Sequence, residues 1–163
     1  MPLNVSSFKA YDVRGRVPDE LNNEIAFAIA RAFVTRFSPK SVVVGYDIRL
    51  SSPEITQSLV DGLIDSGVDV SMIGVCGTEE IYFATEHFGF DGGIVVTASH
   101  NPKDYNGLKM VREGSRPISA DSGLNDIRDL VEKNDFPAGP GGGSVKELDH
   151  RSAYIAKLLN YVD

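Results

Sequence analysis

Ser99 follows an apolar run, Ile94-Val95-Val96, and stands between Ala98 and His100 just before a break at Pro102. Buried strands rarely run into Ser-His-Asn, and the proline biases Asn101 away from helix. A strand that delivers a serine onto a loop suits a reaction site, and it suits an ordinary turn equally well. The surroundings narrow the chemistry. Residues 100–116 hold Lys103, Lys109, Arg112 and Arg116 against Asp104 and Glu113, with His100 next to the serine, so the sign here is positive on a chain of net charge −7. Acyl transfer from a nucleophile elbow is disfavoured, because Thr97 and Asn101 stand where G-x-S-x-G needs glycines. A Ser99–His100 relay is disfavoured as well, since neighbours along an extended chain point to opposite sides. The sequence contains neither a G-x-x-x-x-G-K-[ST] phosphate loop nor an H-x-x-H metal pattern. Gly74-Val75-Cys76-Gly77 could offer amides to an anion, but a plain strand-to-helix turn accounts for it more simply. What remains is a serine among cations with no evident base. Such a place suits a serine that carries a phosphoryl group, whose charge is about −1.5 to −2.

These residues need a frame. Short β-type runs recur at 41–45, 68–73 and 93–97, nearly all apolar, as strands buried on both faces should be. Helical spacing lies between them. Leu21, Ile25, Ile29, Ala32 and Phe33 share one face, as do Ile55, Leu59, Leu63 and Ile64. Ser51-Ser52-Pro53-Glu54 predicts the start of the second helix through a capping box, and Gly67 its end. A third helix is expected from Thr78, with Glu79 and Glu80 facing the positive end of its dipole, to Gly89. Alternation of this kind predicts an α/β fold, a three-layer α/β/α sandwich on a mixed, mostly parallel sheet of about four strands. Too few residues separate Val96 from Leu108-Lys109-Met110-Val111-Arg112 for a crossover helix, so that run is expected to return antiparallel at an edge. Without any further argument, Lys109 there reads as a solvated edge lysine.

Composition sets the outer bounds. The chain has 163 residues, 42% hydrophobic and 24% charged, enough to close the core of one ordinary domain. Its negative charge disfavours nucleic acid and anionic lipid as general partners. No apolar run approaches the ~20 residues of a membrane helix, and the first residues lack the pattern of a signal peptide. The single cysteine, Cys76, excludes an internal disulfide and fits a reducing cytoplasm.

Thr97-Ala98-Ser99-His100-Asn101-Pro102, followed by Asp104-Tyr105-Asn106-Gly107 and Lys109, resembles the phosphoserine loop of the α-D-phosphohexomutases. Phe8-Lys9-Ala10-Tyr11-Asp12-Val13-Arg14-Gly15 is similar to the first-strand motif of the same enzymes. The stretches "GTEEIYFATEHFGFDGGIVVTASHNP" and "VREGSRPIS" look, more narrowly, like bacterial phosphomannomutases of nucleotide-sugar synthesis. The likeness runs from residue 8 to about residue 136.

The resemblance implies a chemistry for each matched position. Ser99 would carry the phosphoryl group, giving it to mannose 6-phosphate or mannose 1-phosphate and taking one back through a hexose 1,6-bisphosphate that also serves as activator. Lys109 would act as general acid/base or orient the attacking hydroxyl. His100 and Arg14 would stabilise charge, while Tyr11 and Asn101 shape the loop and bind phosphate. Magnesium would reach Ser99 through its phosphate. The aspartate cluster that holds this metal in the family, Asp-Gly-Asp-x-Asp, is not in this chain. Asp47 and Arg49 match a family Asp-x-Arg pattern and are expected to form a structural ion pair. The alternatives are a phosphoglucomutase or phosphoglucosamine mutase domain, or a non-catalytic anion-binding module.

"FPAGPGGGS", residues 136–144, has little that can pack. The expected organisation is therefore a phosphoserine-bearing domain over residues 1–136, a Gly/Pro-rich linker over 137–148, and over 149–163 the first helix of a second domain. That helix would be capped by Asp149 and striped by Ile155, Leu158, Leu159 and Val162.

Overall fold

A computed structural model describes residues 1–162. Its elements follow in the order β1 (Val13–Arg16), α1 (Asn23–Phe37), β2 (Ser41–Tyr46), α2 (Ser52–Asp65), β3 (Asp69–Val75), α3 (Thr78–His87), β4 (Gly92–Val96), β5 (Tyr105–Arg112), α4 (Leu124–Lys133), β6 (Val145–Glu147) and α5 (Arg151–Leu159). One sheet holds all six strands, in the order β1-β5-β4-β2-β3-β6. The α/β sandwich with a mixed sheet is as expected, but with six strands instead of about four. β5 alone runs against the others, pairing antiparallel with β4 on one side and β1 on the other. It is therefore interior, not an edge. The two strands that apolar patterning does not show are short and carry little apolar signal. Val13 and Gly15 are the buried residues of β1, and β6 is exposed throughout.

Alternate residues of the central strands feed two cores, because successive side chains of a strand face opposite ways. Val42, Val44, Ile94 and Val96 meet Ile25, Ile29, Phe33, Leu59 and Leu63 of α1 and α2, and Ile127 and Val131 of α4 join them. On the other face, Val43, Ile73 and Val95 pack under Ile81 and Ala84 of α3. Gly67 and Gly89 follow α2 and α3 with φ of 84° and 69°, the left-handed backbone that ends a helix at little cost in a residue without Cβ.

Two caps differ from expectation. Ser51 precedes α2 but makes no side-chain cap; its Oγ accepts instead from Asn106 Nδ2 at 2.8 Å, and Glu54 accepts from Asn23 Nδ2 at 2.5 Å. The residue before α5 is His150, not Asp149, whose Oδ1 takes the Arg151 amide at 3.1 Å.

Residues 137–148 do more than connect. Val145–Glu147 pair in parallel with Val70–Met72 at the sheet edge, so the main chain finds partners where its side chains could not pack. Beyond them His150, 1% exposed, meets Glu80 Oε1 at 2.7 Å, and Tyr154 tilts against Phe83. The stripe Ile155, Leu158, Leu159 and Val162 stays exposed. No helix among the described residues is long and apolar enough to cross a membrane.

Candidate active site

The strands β2, β3 and β4 are parallel, so their carboxyl ends open on one rim of the sheet, the usual place for ligands in open α/β folds. The loops leaving that rim after β2, β3 and β4 enclose a cleft of about 710 Å³ whose lining includes Arg49, Cys76, Ser99, His100, Asn101 and Lys103. Ser99 is exposed here with φ of 52°, a left-handed conformation that costs a non-glycine residue about 1–2 kcal/mol. Its amide donates to Thr97 Oγ1 at 3.0 Å, and Asn101 N–H donates to Ala98 O at 3.0 Å, closing a tight turn around the serine.

A second cluster lies beside the turn. Val13 stands opposite Leu108 and Arg14 opposite Gly107 in the β1–β5 ladder. Continued by one residue, that register sets Asp12 against Lys109, on the same face as Arg14. Asp12 is 7% exposed, and its Oδ2 accepts from Arg14 Nε at 2.9 Å and from Lys109 Nζ at 3.1 Å. Two cations share one carboxylate, so the cluster keeps an excess positive charge. Arg14 Nη1 also donates to Asn101 Oδ1 at 3.0 Å, which ties the cluster to the serine turn.

Ser99, His100, Asn101, Arg14 and Lys109 thus gather at one rim. His100 is exposed, and among the described residues no hydrogen bond joins it to Ser99. Tyr11 is 80% exposed. Lys109 is interior to the sheet, and its side chain, 24% exposed, is held by Asp12.

The expected pair of Asp47 and Arg49 forms, with Nε 3.3 Å from Oδ2. The guanidinium does more. Nη1 donates to Pro102 O at 2.7 Å and Tyr105 O at 3.0 Å, and Nη2 to Ser99 O at 2.9 Å and Asn101 O at 2.6 Å. Sequence reasoning missed both this role and Asp12. The Asp12 partnership was open to discovery once β1 was recognised as the strand opposite Lys109.

Cys76 lines the cleft as an inert group. Burial, and then the charge of Glu80, push its thiol from 9.0 up to about 12. The Tyr82 phenol is raised too, by burial and then by the charge of Asp12. Among the described residues no group of three or more His, Cys, Asp or Glu side chains is placed to hold a metal ion. Asp12 is committed to two cations, so the described residues alone do not fit magnesium, and a phosphate on Ser99 would add oxygens for it.

Residues 5–138 match the family model for phosphoglucomutase/phosphomannomutase, alpha/beta/alpha domain I. A phosphomannomutase of Salmonella montevideo is 55% identical over 161 residues, covering 98% of this chain and 35% of the relative. One from Escherichia coli strain K12 is 52% identical with the same coverage. A Burkholderia thailandensis protein of the phosphoglucomutase/phosphomannomutase family superposes with a TM-score of 0.85 at 36% identity, over 97% of this chain and 36% of that one. A putative phosphomannomutase of Thermus thermophilus superposes with a TM-score of 0.86 at 28% identity, over 100% and 37%. The chain spans about 35% of the length of the curated relatives it matches.

Proposed function

The chain belongs to the phosphoglucomutase/phosphomannomutase family as its domain I, and from that premise we propose that it is the phosphoserine-bearing first domain of a phosphomannomutase. The proposed domain occupies residues 1–136, with 137–148 leading to the first helix of a second domain. The observation that carries the reading is an exposed, left-handed Ser99 at a strand end, joined through Asn101 to a buried carboxylate with two cations on it.

In the proposed cycle a hydroxyl oxygen of the sugar phosphate attacks the phosphorus carried on Ser99. The new P–O bond forms as the bond to Ser99 Oγ breaks, the hydroxyl proton passes to the departing Ser99 Oγ to restore the serine hydroxyl, and Lys109 as a cation orients the attacking oxygen. The resulting hexose 1,6-bisphosphate turns over, and Ser99 Oγ takes back the other phosphoryl group. Arg14 and His100 meet charge on the equatorial oxygens, which is where phosphoryl transfer gains most from a protein. Asn101 holds Arg14 toward the turn, and Tyr11 borders the approach. Asp12 keeps Arg14 and Lys109 side by side without cancelling their combined charge. Magnesium bound through the Ser99 phosphate, with its other ligands outside this chain, would draw off charge from the oxygens it meets. The substrates are small soluble anions, and the reading sets the cycle in the cytoplasm, where a lone thiol such as Cys76 stays reduced.

The test is a coupled assay on the full-length protein with mannose 1-phosphate, magnesium and a hexose 1,6-bisphosphate activator, run beside glucose 1-phosphate. Phosphopeptide mapping after incubation with the bisphosphate should find the label on Ser99, and Ser99→Ala should abolish turnover. Label found reproducibly elsewhere, with Ser99 bare, would sink the reading. A marked preference for glucose 1-phosphate would move it to a phosphoglucomutase.

A further inference from the structure

Four main-chain carbonyls of the segment between β4 and β5 converge on the Arg49 guanidinium, from Ser99 at one end to Tyr105 at the other. An arginine so placed acts as a core around which the segment is wrapped. Its side chain is 13% exposed. The core is itself anchored. Asp47 Oδ1 accepts from the Arg49 amide at 3.0 Å and from Ser52 Oγ at 2.6 Å. Ser52, fully buried at the start of α2, accepts from Asn106 Nδ2 at 2.9 Å. The hydrogen bonds therefore run from Asn106 on β5 through Ser52, Asp47 and Arg49, and return to the carbonyl of Tyr105, the first residue of β5.

Ser99 gains its position from this circuit. Its left-handed backbone is disfavoured locally, so other contacts must over-determine it. The carbonyl of Ser99 itself is one of the four that Arg49 holds. A planar guanidinium can present its N–H groups to several acceptors in fixed directions, whereas a lysine ammonium puts all its donors on one atom. We infer that Arg49 is a positioning residue for phosphoryl transfer: its guanidinium is taken up by main-chain carbonyls and Asp47, and through them it fixes Ser99 Oγ at the angle from which the group is received and given. The inference rests on reading Ser99 as the phosphoryl carrier.

The experiment follows ³²P from a hexose 1,6-bisphosphate onto Ser99 of the full-length protein by rapid quench. Arg49→Lys should melt cooperatively and keep the half-saturating bisphosphate concentration, yet load Ser99 about 10²-fold more slowly, the penalty of a misplaced reacting group. Arg49→Ala should load as slowly, and millimolar guanidinium ion, which can fill the vacated place, should restore about tenfold or more while ammonium does not. A merely structural arginine would show neither the unchanged half-saturation nor the rescue. Folded variants that load within about threefold of wild type would overturn the inference, since misplacement costs far more. Where neither Arg49 variant folds, Asp47→Asn loosens the Nε contact, the Arg49 amide contact and the α2 anchor while leaving the guanidinium's carbonyl contacts in place; about a tenfold fall in loading supports the inference, and an unchanged rate overturns it. A wild-type protein that takes no label on Ser99 instead overturns the phosphoryl-carrier reading and the Arg49 inference together. Labelled wild type with indifferent variants removes the Arg49 inference alone.

Discussion

Asp12 and Lys109 stand 97 positions apart in the chain, and their side chains meet at 3.1 Å across the β1–β5 ladder. The contact follows from strand register. β1 is four residues long, and its pairing with β5 is what turns an unremarkable lysine into half of an oriented pair. Arg14 completes the arrangement from the same face.

A double-mutant cycle in the full-length protein should expose this coupling. Lys109→Ala is expected to lower kcat by ~10²-fold, the order of loss when a reacting hydroxyl is no longer positioned. Asp12→Asn should cause a loss of similar order while the protein still melts cooperatively. The double variant should be little worse than the poorer single one, because groups acting as a unit are not additive. Fully multiplied losses would show that Asp12 and Lys109 work independently.

Gly107 sits opposite Arg14, and a Cβ there would collide with the carbonyl oxygens of Val13 and Thr97. Gly107→Ala should therefore destabilise by about 2–3 kcal/mol, read from chemical denaturation. It should also slow Ser99 loading, since β1 must shift and carry Asp12 with it. A variant as stable as wild type would mean that the ladder yields more freely than its geometry implies.

Cys76 supplies a pH test. Its thiol holds its proton to about 12 when folded, against 9.0 ordinarily. Between those values the unfolded state binds fewer protons than the folded one. The stabilisation from this group is thus fully present below pH 9 and is lost as pH rises toward 12. At pH 8 a disulfide reagent should react with the native thiol at least ~10²-fold more slowly than with the denatured one, because the thiolate is the reactive form. Comparable rates in the two states would contradict the buried environment.

The chain on its own should fold, because its two cores are complete around one sheet. A cooperative thermal melt would check this. It should nevertheless give no sustained turnover with mannose 1-phosphate, magnesium and bisphosphate, since it spans about 35% of its relatives and lacks a place for the metal among the described residues. Turnover by the purified chain would mean that the active site is wrongly drawn.

How far sequence reasoning reached depends on distance along the chain. The central strands, the helical faces and the serine at a strand end were all readable, because each rests on a local pattern of apolar spacing. Apolar patterning does not show β1, because Val-Arg-Gly-Arg holds one apolar side chain, too few for alternation; only the likeness of residues 8–15 to a first-strand motif pointed there. β6 escaped because its residues are exposed and only its backbone pairs. Asp47 and Arg49 were paired correctly from the family Asp-x-Arg pattern they match, yet the carbonyls that Arg49 binds lie some 50 residues further on. Backbone acceptors leave no trace in residue types. The six-residue serine motif marked where to look, and the partners that organise it came from elsewhere in the fold.

The wrapping of residues 99–105 around Arg49 has an electrostatic sequel. In a trans peptide the N–H points opposite to the C=O, and Val17–Pro18 is the one cis bond among the described residues. With the Ser99 and Pro102 carbonyls turned in toward the guanidinium, the amides of His100 and Lys103 must face the other way. The Asn101–Pro102 link has no hydrogen to give. Peptide dipoles therefore line up with their negative ends on Arg49 and their positive ends outward, a fixed field that does not titrate. An arginine whose N–H groups are spent on carbonyls thereby also sets the polarity of the surface beside the serine.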